Sequence, residues 1–158
     1  MKNKESTTKY ELLAVPLEEL MPLIQEAFAA GQGIRIYPRG VSMRPLIREG
    51  QDSVTLSAPT GKLGRYEIAL FTYHGRYLLH RVVGRDRDGG YVFCGDNCYT
   101  YEHGVQESDI IAVVTDVWHG DTVLQKSPAE EYRYLRFVSL RRKLRRFAAR
   151  VRRFIWRK

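Results

Sequence analysis

The sequence predicts a mainly β, α+β chain: a compact antiparallel β-domain with a helix before it and a long basic helix after it. Three observations predict this. Apolar residues recur at three and four before residue 31 and at two from Ile34 onward. Several short β-rich runs then follow, separated by Gly-, Asp- and Pro-bearing breaks. Beyond Ser127 the apolar spacing returns to about 3.5, with arginine at most other positions.

The first helix spans about residues 17–30. Leu17, Leu20, Leu23, Ile24, Ala27 and Phe28 form one face, Pro22 falls in about the first turn, and Gly31 and Gly33 end it. Strands are expected at Ile34–Tyr37, Ser53–Ser57, Glu67–Tyr73, Tyr77–Val83, Tyr91–Cys94 and Ile110–Trp118. His74-Gly75, between two of these runs, reads as a tight hairpin. Ser127-Pro128-Ala129-Glu130 reads as a capping box: serine caps, proline takes the first helical position, and glutamate reaches back. Leu140, Leu144, Phe147, Val151 and Phe154 then mark the apolar line of an amphipathic helix. The expected organisation is a helical segment over 1–33, a β-domain over 34–124 and a basic helix over 127–158.

At 158 residues, 44% apolar and 28% charged, the chain suits one domain with a core of its own. No run approaches the ~18 apolar residues of a membrane-spanning helix, and no secretory leader is visible. The expected location is the cytoplasm, or the inner face of the membrane as a peripheral protein. The net charge of +8 is uneven. Residues 128–158 hold 12 Lys/Arg against 2 Asp/Glu, while the first 127 hold 14 against 16. Such a cationic tail is drawn to an anionic membrane surface, with Leu140, Leu144, Phe147, Val151, Phe154 and Trp156 in the interface, and less to nucleic acid. Cys94 and Cys98 are too few for a disulfide framework and, with His103, too few and too loosely spaced for a metal site. No cofactor is expected.

Three segments carry candidate chemistry. Gly40-Val41-Ser42-Met43-Arg44-Pro45 follows a strand, and a serine nucleophile needs a tight turn with free backbone N–H groups beside it. In Leu78-Leu79-His80-Arg81-Val82-Val83, period two sets His80 on one face with Leu78 and Val82, where an imidazole needs a hydrogen-bond partner. In Gly95-Asp96-Asn97, Asp96 either orients an imidazole or makes an Asx-turn. Singly, each segment has an ordinary structural explanation.

Together and in this order they resemble the serine peptidases of the signal-peptidase and SOS-repressor superfamily, over roughly residues 30–120. The first box is Gly40-Val41-Ser42-Met43-Arg44-Pro45-Leu46-Ile47-Arg48-Glu49-Gly50, the base strand ends in His80-Arg81-Val82-Val83, and the last box is Gly95-Asp96-Asn97. The run Glu107–Val114 resembles the strand that follows that box. Histidine at the base position is similar to the archaeal and endoplasmic-reticulum-type signal peptidases. The resemblance implies a serine endopeptidase acting on an extended peptide or protein segment, with Ser42 as nucleophile and His80 as general base. It gives Asp96 as orienting acid, leaving Glu102 and Asp109 open for that role, and places Gly40, Met43 and Pro45 in the oxyanion and substrate-binding turn. The oxyanion hole is then built on backbone, Gly40 having no side-chain donor. The alternative is an inactive relative that binds a membrane surface or nucleic acid.

Overall fold

The computed structural model describes residues 16–155, with the side chains of residues 154 and 155 outside the description. Phe154 and Trp156, expected in the apolar line of the tail, therefore lie outside the residues whose side chains are described. Helix α1 spans Leu17–Ala29 and is followed by strands β1 (Ile34–Ile36), β2 (Asp52–Ser57), β3 (Ile68–Tyr73), β4 (Arg76–Arg85), β5 (Tyr91–Cys94), β6 (Glu102–Val105), β7 (Ile110–His119) and β8 (Thr122–Val123). A 3-10 turn at Glu107–Asp109 precedes β7, and helix α2 runs from Pro128 to Ile155. All pairings are antiparallel, in the order β1-β2-β7-β3-β4-β5-β6, with β8 added to β7.

The expected elements are present with small changes at their ends. Pro22 lies in the second turn of α1 rather than the first, so the helix loses the bond that its missing N–H would give to Glu18. The β3–β4 turn is tight because His74 (φ 48°) and Gly75 (φ 72°) both adopt left-handed conformations, which suits the twist of the flanking strands. At the start of α2 the Ser127 N–H donates to Glu130 Oε2 at 2.9 Å, and the Glu130 N–H donates to Ser127 Oγ at 3.4 Å. Two strands lie beyond the sequence expectation: β6, which is charged and contains Gly104, and the two-residue β8.

The sheet buries both faces. On one, Val54, Leu56, Ile68, Leu70 and Ala112 pack with Ile24 of α1 and with Met43, Leu46 and Ile47 from the loop after β1. On the other, Ala69, Phe71, Val82, Tyr91, Phe93 and Val105 form a second cluster. Alternation along β3 separates the two sets, Ile68 and Leu70 facing one way and Ala69 and Phe71 the other. Ser42 thus sits in a turn whose neighbours are anchored in the first core, while His80 faces the second.

Candidate functional site

The turn that carries Ser42 is fixed from below, behind and beside. Met43, Leu46 and Ile47 are buried and hold it to the core. Asp52, fully buried at the start of β2, accepts the Arg48 N–H at 2.7 Å and the Arg48 guanidinium at 2.9 Å, so the loop closes on itself. Gly40 turns the chain with φ at 90°, where a side chain would be strained. Pro45 is exposed and lies outside the small cavity beside Ser42, whereas Gly40 and Met43 line it. The expected substrate-binding role thus finds Gly40 and Met43 at the cavity and Pro45 away from it.

His80 pairs in register with Ala69 on β3, whose small side chain leaves room for the imidazole. The ring is 5% exposed and meets the edge of Phe71, with centroids 6.3 Å apart. Its Nδ1 lies 3.0 Å from Glu102 Oε2, a buried contact between β4 and β6. With Nδ1–H donating to that carboxylate, Nε2 is the ring atom left to exchange a proton. Ser42 and His80 line one cavity of about 100 Å³, together with Gly40, Met43, Ile47 and Leu79.

Asp96 does not occupy the orienting position. Its carboxylate accepts Arg81 Nε at 2.8 Å and Arg81 Nη2 at 2.7 Å, a buried bidentate pair, and the Tyr134 hydroxyl of α2 donates to it at 2.6 Å. The reason is the strand period: Arg81 points to the face opposite His80, and Asp96 turns to it. Glu102, on a strand the sequence concealed, stands where Asp96 was expected. Asp109 lies in the 3-10 turn, where its carboxylate accepts the Gln106 N–H at 2.8 Å.

The Gly95-Asp96-Asn97 box therefore divides its work. The Asn97 N–H donates to the Ser42 carbonyl at 2.7 Å, and Asn97 Nδ2 donates to the Val41 carbonyl at 3.0 Å, so this asparagine stitches the Ser42 turn in place. Asp96 clasps Arg81. Gly95 supplies closeness: a Cβ built on it would fall 2.7 Å from Ser42 O, 2.8 Å from Cys98 Sγ and 3.0 Å from His80 Nε2. Three groups thus converge on the one spot where a side chain is missing.

Cys98 is a member of the site that sequence reasoning missed. Its Sγ lies 2.8 Å, and His80 Nε2 3.0 Å, from the point where a Cβ on Gly95 would stand, and the thiol is near enough to act on the imidazole. Burial alone pushes the His80 imidazole down, but the neighbouring Cys98 and Glu102 outweigh it and raise the pKa to about 9. Cys94, four residues earlier, is buried; desolvation pushes its thiol up to about 12, and it donates to the Thr100 carbonyl at 3.0 Å. The spacing of Cys94 and Cys98 around the box was the available signal, yet only the fold shows which one meets the imidazole.

A larger cavity of about 650 Å³ lies beyond Arg81, between β7 and the first turns of α2, and includes Lys126 and Tyr134 but neither Ser42 nor His80. Among the described residues no group of three or more His, Cys, Asp or Glu is arranged to hold a metal ion, and no helix is long and apolar enough to cross a membrane. Comparison with protein-family models, with curated proteins and with solved structures finds no match.

Proposed function

We propose that the protein is a serine endopeptidase in which Ser42 is the nucleophile, His80 the general base and Glu102 the acid that fixes its tautomer. The observation that carries this reading is the shared cavity: Ser42 and His80, 38 positions apart in sequence, line the same small pocket, with Nδ1 of the base already held by a buried carboxylate. In the reaction, the Ser42 hydroxyl oxygen bonds to the peptide carbonyl carbon while Nε2 takes the hydroxyl proton. That proton passes to the leaving amine as the C–N bond breaks. Water, deprotonated by the same nitrogen, then adds to the acyl carbon, the C–O bond to Ser42 breaks, and the proton returns to the Ser42 oxygen. The Ser42 backbone N–H is the candidate donor to the oxyanion, in keeping with a turn that has no side chain at position 40.

The substrate is read from the edges of the sheet. Strand β5 pairs with β4 only over Arg81–Arg85, so Tyr77–Leu79 leave one backbone edge open immediately before the base. Pro38–Gly40 face it across the cavity. An extended peptide laid between them gains strand-like hydrogen bonds. The small cavity, floored by Met43 and Ile47, selects a small side chain beside the cut.

The test is a mixture of synthetic peptides with alanine, leucine or phenylalanine beside the scissile bond, read by mass spectrometry. Cleavage is expected beside alanine, and it should vanish in Ser42→Ala while the thermal melt is unchanged. Cleavage that survives Ser42→Ala removes the serine from the mechanism. If the native chain cuts nothing, the inactive binding module is the better reading.

A further inference from the structure

Helix α2 carries two faces with different tasks. The inner face grips the site: Tyr134 donates to Asp96, Arg142 Nη2 donates to the Gly95 carbonyl at 3.4 Å, Arg141 Nη2 donates to Asn97 Oδ1 at 2.8 Å, and Arg145 reaches the Asn97 carbonyl and side chain. Val138, 3% exposed, lies on this same face. The outer face is apolar: Phe137, Leu140, Leu144, Phe147 and Val151 recur at alternating steps of three and four and are 39–67% exposed. A continuous stripe of five large apolar side chains on the outside of a helix is not needed by the fold that it leaves uncovered.

We propose that this stripe is a docking surface for an anionic lipid bilayer, and that docking engages the same helix that clamps the Gly95–Asn97 loop. The occupant is argued from charge. Beside the stripe stand Arg136, Lys143 and Arg150 on its outer flank, with no acidic residue from Tyr132 to the end of the chain. A bilayer surface satisfies both parts at once, burying the apolar stripe at the level of the acyl chains while the cations meet lipid phosphates. A second copy fits poorly. The stripe follows a coiled-coil seam, but four of the five positions beside it are cationic (Arg136, Arg141, Lys143 and Arg150, with Ala148 the fifth) and none is acidic to pair with them. Nucleic acid would use the arginines and leave the apolar stripe in water. The docking surface stands on its own observations, and the binding test below does not depend on the peptidase reading.

The experiment is co-sedimentation of the full chain with vesicles of phosphatidylcholine alone and with one-third phosphatidylglycerol, at low and high salt. Binding is expected to the anionic vesicles, weakened but not abolished by salt, with little to phosphatidylcholine alone. The double variant Leu140→Glu, Leu144→Glu should lose about tenfold or more of that binding. Both side chains are about 60% exposed, so its melting temperature should match the native chain's, and the single variant Phe147→Ser serves if the double one fails to fold. Native chain that stays in the supernatant overturns the proposal, as does a double variant that binds like the native one. Tighter binding to duplex DNA than to anionic vesicles, indifferent to the variants, overturns it in favour of nucleic acid. A dimer in lipid-free solution that the variants dissociate shows instead that a second copy covers the stripe.

Discussion

At the scale of single residues, the site is defined by what surrounds one imidazole. His80 is nearly enclosed, has a carboxylate on Nδ1 and a thiol near Nε2, and its pKa stands at about 9. A general base works only when neutral, and at pH 7 about one molecule in a hundred would hold the neutral ring. Activity should therefore climb as pH rises toward 9 and level off above it. Replacing Cys98 by alanine removes one of the groups that favour the charged ring, so the midpoint of the kcat/KM profile should move to lower pH. A profile that stays in place after this substitution would detach Cys98 from the base.

The two acids near the site separate by the same logic. Glu102→Gln keeps the shape but loses the charge that fixes the Nδ1 proton, so kcat/KM should fall about a hundredfold or more with little change in the melt. Asp96→Asn instead leaves Arg81 as a buried cation short of its partner, and should cost about 3–5 kcal/mol of stability in urea unfolding. Equal behaviour of the two variants would contradict this division. The turn that holds Ser42 and the strand that holds His80 were legible in the sequence because each lies in a short segment whose neighbours dictate its place: a glycine turn for one, a period-two strand for the other. The carboxylate that meets the imidazole was not legible. Asp96 and Glu102 both follow β5 within a few residues, and which of them turns toward His80 depends on the return of β6 alongside β5.

At the scale of elements, local signals were reliable where one residue type settles the geometry. The His74-Gly75 hairpin, the Ser127–Glu130 capping box and the period-two strands needed no tertiary information. Strand β6 needed it, because Glu102-His103-Gly104-Val105 has weak β-propensity and pairs only at the edge of the sheet. The loop between β5 and β6 is the other element whose role emerged from packing, since it presses backbone against backbone at Gly95. Gly95→Ala would push a methyl group into the Ser42 carbonyl, the Cys98 sulfur and His80 Nε2 together. Because one of the three is backbone, the turn must shift, and a loss of about 1–3 kcal/mol with loss of cleavage is expected. A fully active, equally stable Gly95→Ala chain would mean that the loop stands farther from Ser42 than described.

At the scale of the whole molecule, the sheet is not assembled in the order in which its strands are written. Strand β7 lies between β2 and β3, although residues 58–109 separate it from β2 and residues 74–109 separate it from β3 along the chain. During synthesis the ribosome delivers both flanking strands before the one that joins them, so the nascent polypeptide waits with two unmatched edges until Ile110–His119 clears the exit tunnel. The seam between the two halves of the sheet thus closes late, with only the short β8 still to be added, and premature termination before that point leaves two half-sheets unjoined. Only after that closure do the arginines of α2 follow, which places the clamp on the Gly95–Asn97 loop at the end of the molecule's own birth.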